Sequence, residues 1–183
     1  MRCAFLLAAS LWIGIAVARA QADLPLEAVA LVSCGVATGW GSATKRADTG
    51  KLAAWHRYDG PVWQTLRTHW APGSSVQVYA LSAQHGLIPA ETPIMDYDTR
   101  LQDVVDHEVT GGRTVPVTAG ERIVRDWRHR LTWEQLECSP HLLVVAGAAY
   151  RRVICRWARR PYAHAPGGMG QQRAILRRWL ADR

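Results

Sequence analysis

Three apolar runs punctuate the chain: Ala28 to Val32, Val76 to Leu81 and Leu142 to Ala146. Runs of this length, lacking strict alternation, predict strands buried on both faces, as in a parallel sheet covered by helices. Between them the period lengthens to that of helices. Asp59-Gly60-Pro61 places proline at a first helical position after a cap, and Val62, Trp63, Leu66 and Trp70 supply the apolar stripe until Ala71-Pro72-Gly73 ends it. Thr118 and Glu121 have capping-box spacing, and the helix they open is expected to bury Ile123, Val124, Trp127 and Leu131. Tyr150, Val153, Ile154 and Trp157 mark one further helical face, and Ile175, Leu176, Trp179 and Leu180 mark the last. Strand and helix are therefore expected to alternate throughout. The predicted fold is α/β: a three-layer, Rossmann-like domain with a mostly parallel sheet and right-handed crossovers.

At 183 residues, 49% of them apolar, with nine Trp, the chain suits one globular domain with a real core. That domain is expected over 21–183, because residues 1–20 read as a signal peptide. Arg2 precedes an apolar stretch from Cys3 to Val17, which ends in Ala18-Arg19-Ala20. The expected location, if the signal is real, is thus periplasmic or secreted, with cytoplasmic as the alternative; the competing readings of the segment are an uncleaved anchor and a misplaced start. Once it is removed, no stable membrane partner is expected. Removal would also leave three cysteines, Cys34, Cys138 and Cys155, which make no disulfide framework.

Charge changes the picture by its placement. From Arg151 onward there are nine arginines and one acid, Asp182, whereas residues 21–150 carry a net charge of −3. A basic C-terminal fifth suits a nucleotide or nucleic-acid partner, against the alternative of solvated helix faces.

In open parallel sheets, ligands bind beyond the carboxyl ends of the strands. Here those ends run into Ser33-Cys34-Gly35, Ser82-Ala83-Gln84-His85-Gly86 and Gly147-Ala148-Ala149-Tyr150. Cys34 is a candidate nucleophile, since a strand-end thiol near a helix N-terminus or histidine can act as thiolate; the alternative is a buried small hydrophobe. His85 is its candidate base or a substrate-orienting group, and Ser82 completes the catalytic set, unless it only terminates the strand. Ser33, Gly86, Tyr97, Asp98, Gly147 and Tyr150 are candidates for substrate contact, with Tyr97 and Asp98 suited to a ribose hydroxyl or to acid–base work. Gly167, Gly168 and Gly170 open the last helix, whose free N–H groups can cradle a phosphate together with Arg173, or merely make a tight turn. Asp103, Asp106, His107 and Glu108 lack a recognised ligand pattern and are read as a solvated helix face, so no metal is expected. Without a Walker sequence, or a GxGxxG after the first strand, no nucleotide cofactor is expected.

Several of these stretches carry a family resemblance. Leu31-Val32-Ser33-Cys34, Tyr58-Asp59-Gly60, Leu81-Ser82-Ala83-Gln84-His85-Gly86-Leu87-Ile88-Pro89 and Tyr97-Asp98 resemble an uncharacterised bacterial group, domain of unknown function family 6884. The resemblance runs from Val29 to Leu101, with looser similarity at Ala146-Gly147 and at Gly167 to Gly170. It implies a short α/β protein with its site around the cysteine. Members of that group often carry a lysine shortly after the cysteine, where this chain has Gly35, Val36, Ala37 and Thr38; Lys45 and Lys51 are the substitutes available from the longer loop. The order of Ser33-Cys34, then Ser82 to Gly86, then Tyr97-Asp98 is also similar to the archaeosine synthase core, which implies nucleobase chemistry. The expectation is an enzyme acting on a nucleobase, nucleotide or nucleic acid by transfer or hydrolysis. The alternatives are a noncatalytic nucleic-acid-binding module using the arginine-rich C-terminus, and an exported relative whose site has decayed.

Overall fold

A computed structural model describes the backbone of residues 28–33 and the whole of residues 50–183. Cys34 and the expected signal segment lie outside the described residues. All three apolar runs form strands: β1 (Ala28–Ser33), β3 (Val76–Ser82) and β8 (Leu142–Val145), with the short β2 (Leu52–Ala53) between the first two. β1 is central and pairs in parallel with β3 on one side and β8 on the other. β4 (Gly86–Pro89) extends the sheet antiparallel to β3, and β9 (Ala163–His164) extends it parallel to β8, in the order β4-β3-β1-β8-β9.

The expected three-layer, Rossmann-like domain with a mostly parallel sheet is overturned. The strands divide among three sheets, two of which are two-stranded and antiparallel: β2 with β5 (Pro93–Ile94), and β6 (Val104–Thr110) with β7 (Arg113–Thr118). From Gly86 to Thr118 four strands follow one another with no helix between them, so no extended parallel sheet forms among the described residues. The reason is turn chemistry. Gly86 (φ +71°) reverses the chain after β3, and Gly111 (φ +58°) and Gly112 (φ +75°) make a two-residue hairpin whose left-handed pair matches strand twist. The stretch read as a solvated helix face is likewise a strand. Asp106, His107 and Glu108 lie exposed on β6, with Asp103 just before it.

Helices begin largely where local signals place them. Before the first long one, a single turn, α1 (Ala54–Arg57), follows β2. α2 (Pro61–His69) has Pro61 at its start and ends at Trp70, whose indole Nε1 donates to Val76 O at 2.8 Å. The capping box is complete: Thr118 Oγ1 accepts from Glu121 N at 3.2 Å, and Glu121 Oε2 accepts from Thr118 N at 2.9 Å. Its helix is shorter than expected, however. α3 (Ala119–Arg125) stops at Asp126, whose extended backbone lets its carboxylate cap a new helix, α4 (Trp127–Glu137), through Arg128 N. That break rephases the apolar stripe. Trp127 and Leu131, expected in the core, are 69% and 48% exposed, and Trp133 and Leu136 are buried instead.

Alternation along β8 feeds two apolar clusters. Leu143 and Val145 join Trp63 and Leu66 of α2 and Leu176 of α6 (Met169–Ala181). Leu142 and Val144 join Ile123, Trp133 and Leu136, together with Ile154 of α5 (Ala148–Cys155). Among the described residues no helix is long and apolar enough to cross a membrane.

Candidate functional site

Because β1, β3 and β8 are parallel, their carboxyl ends meet at one edge of the sheet. Register places Ser33 opposite Leu81 and Val32 opposite Val145, which brings Ser33, Ser82 and Gly147 to that edge. Ser82 is fully buried and is the junction of a hydroxyl chain. Its Oγ accepts from Gln84 N at 3.2 Å and His85 N at 3.1 Å, closing the turn into β4. Both oxygen lone pairs are then in use, so the Ser82 proton points to Tyr97 Oη at 2.7 Å. Tyr97 Oη in turn shares a hydrogen bond with Tyr58 Oη at 2.8 Å. Three stretches far apart in sequence thus share one hydrogen-bonded hydroxyl chain: Ser82, Tyr97, Tyr58.

Tyr58 is held by a residue that gave no sequence signal. Arg67 of α2 donates to the carbonyls of Trp55 at 2.9 Å and Tyr58 at 2.6 Å, and pairs with the Asp59 carboxylate. One rigid guanidinium therefore shapes the segment that presents the phenol.

His85 packs edge-on against Tyr97, with ring centroids 5.2 Å apart. Its Nε2 is buried and has no hydrogen-bond partner among the described residues. Burial, and then the Arg122 guanidinium, pushes its pKa below the usual histidine value, so the imidazole is held neutral and can take a proton. On its other side lies a cleft of about 530 Å³ lined by His85, Gly86, Arg122, Asp126, Arg128 and His129.

His129 and Asp126 are the site residues that sequence reading missed, since neither falls in a motif and the helix break at Asp126 turns them toward β4. His129 Nδ1 accepts from Leu87 N at 3.4 Å, which leaves the proton of the neutral ring on Nε2, 3.8 Å from Asp126 Oδ2. Arg128 clamps Asp126 through both carboxylate oxygens and holds its pKa down at about 2. Burial lowers the pKa of His129, against the opposing pull of Asp126.

Both histidines therefore resist protonation in the folded state. A depressed folded pKa means their stabilising contribution is complete above the ordinary value of about 6.5 and is lost as pH falls below it. The expected result is a fall in urea-unfolding free energy between pH 7.5 and 5, with a smaller slope in His129→Asn. An unchanged slope in that variant would remove His129 as a source. Asp126 acts in a separate window, below its ordinary value of 3.8 and down toward 2.

The remaining sequence candidates divide. Gly147 caps α5 at the same sheet edge, and a β-carbon there would meet nothing within 4 Å among the described residues. Tyr150 is buried in the cluster with Leu81 and Leu87. Asp98 is exposed beside Tyr97. Gly168 caps α6, but Arg173 reaches Thr65 of α2, and the groove they line shares no residue with the His85 cleft. Cys138 and Cys155 are exposed and unbridged.

Compared with known proteins, residues 29–178 match a family of unknown function, DUF6884. No curated protein and no solved structure matches the chain.

Proposed function

The chain belongs to the DUF6884 family, and from its strand-end geometry we propose an enzyme acting on a nucleobase, nucleotide or nucleic acid by transfer or hydrolysis. The observation that carries this reading is the Ser82–Tyr97–Tyr58 hydroxyl chain beside the neutral ring of His85, whose Nε2 has no hydrogen-bond partner among the described residues. Linked hydroxyls suit the polar edge of a base or a ribose, and a neutral imidazole suits proton transfer. Cys34, the residue after Ser33, is the nucleophile of this proposal on sequence grounds, and the similarity to the archaeosine synthase core belongs to the same proposal.

The test is a turnover assay on a panel of nucleosides, their monophosphates and a short single-stranded RNA, following released base by chromatography. Wild-type protein is expected to consume at least one of them, and Cys34→Ala to lose that turnover while unfolding at the same temperature. Full activity in Cys34→Ala would remove the nucleophile. Absence of both turnover and binding across the panel would overturn the reading.

A further inference from the structure

A second polar site lies away from the strand ends, between α2 and α6. Its walls include Thr65, Thr68 and His69 from the first helix and Gly170, Arg173 and Arg177 from the second, around a groove of about 530 Å³. Among the described residues no carboxylate lines it. Two guanidiniums facing one space without a counter-charge repel each other, and an anion between them would relieve this.

The groove is also built, beyond being basic. Thr65 is nearly fully buried, and its hydroxyl donates to Pro61 O at 3.0 Å while accepting from Arg173 Nε at 2.8 Å. That anchor fixes the plane of the Arg173 guanidinium and leaves its two terminal nitrogens available for a bidentate contact. Arg177 lies one turn further along the same face, with no ion pair among the described residues. Gly170 contributes a wall with no β-carbon, in the first turn of a 13-residue helix whose cap, Gly168, offers no side-chain hydrogen bond. The N–H groups of that turn add to the positive potential of the groove.

We propose that this groove binds a phosphate group, with Arg173 and Arg177 as its ligands and Thr65 as the residue that positions Arg173. It stands independently of the strand-end enzyme reading, because the two clefts share no lining residue.

Calorimetric titration of the full chain with inorganic phosphate, and separately with a short polythymidine strand, tests it at low salt. Binding of phosphate alone would identify a site for small phosphates; binding of the strand, weakening as salt rises, would identify the nucleic-acid backbone as the source. In either arm Arg173→Ala and Arg177→Ala are each expected to weaken binding about tenfold. Thr65→Val, which leaves the charge unchanged, is expected to weaken it several-fold, and Thr65→Ser to restore it. Arg178→Ala, on the same helix but outside the groove, is expected to leave affinity within about twofold. Failure of both probes to bind would overturn the proposal. So would an Arg178→Ala loss equal to that of Arg173→Ala with Thr65→Val unaffected, since diffuse positive charge would then explain the binding.

Discussion

Gly86→Ala is expected to destabilise the protein by about 3 kcal/mol and to lower Tm by on the order of 10 °C. Two independent costs combine. Gly86 has φ +71°, a region that a residue with a β-carbon enters at a cost of about 1 kcal/mol. A β-carbon there would also run into the His129 ring at Nε2 and Cε1, inside any tolerable contact. The ring cannot withdraw freely, because its Nδ1 accepts from Leu87 N, and moving it loses that bond at about 1 kcal/mol. The double variant Gly86→Ala with His129→Ala separates the two: removing the ring should relieve the clash and leave only the backbone cost, so the two changes should combine non-additively. Thermal unfolding of the four proteins in this cycle checks it. Simple additivity would show that the two residues do not press on one another.

Ser82→Ala is expected to damage fold and site together. The lost oxygen serves Gln84 N, His85 N and Tyr97 Oη at once, in a fully buried position. Unsatisfied donors of this kind cost about 1–3 kcal/mol each when buried, so a loss of about 2–4 kcal/mol is the expected result in urea unfolding. The turn that carries His85 would loosen, and Tyr97 would lose its fixed orientation. On whichever panel substrate the wild type consumes, turnover should fall by about a hundredfold, a size ordinary for misplacing an acid–base group. Ser82→Thr retains the hydroxyl and should recover part of both losses. Wild-type turnover in Ser82→Ala would show that the hydroxyl chain plays no part in the chemistry.

The histidine pair shows why part of the site was legible and part was not. His85 sits in a Ser-Ala-x-His-Gly-Leu stretch directly after a strand, so sequence alone pointed to it. His129 lies in the first turn of α4 among arginines, and nothing local distinguishes it from a solvated residue. It enters the site because Asp126 ends one helix and caps the next, a competition between continuing a helix and satisfying free N–H groups that two adjacent periodic segments do not reveal. The same break explains why Trp127 and Leu131 were expected inside and lie outside.

What the chain alone determined is what short-range forces decide. The three apolar runs form strands, Pro61 opens a helix, and Thr118 and Glu121 close a capping box, because burial tendency, fixed φ and reciprocal caps act within a few residues. The family was also legible, since its motifs are contiguous. Tertiary structure alone decided the division of the strands into one five-stranded and two two-stranded sheets, and the meeting of Ser82, Tyr97 and Tyr58. It also decided the diversion of Arg173 to Thr65, away from the strand ends. Those outcomes depend on left-handed glycines that reverse the chain and on hydrogen bonds spanning 15, 39 and 108 residues. Periodicity tells which side of a residue is buried, but not which distant partner it meets there.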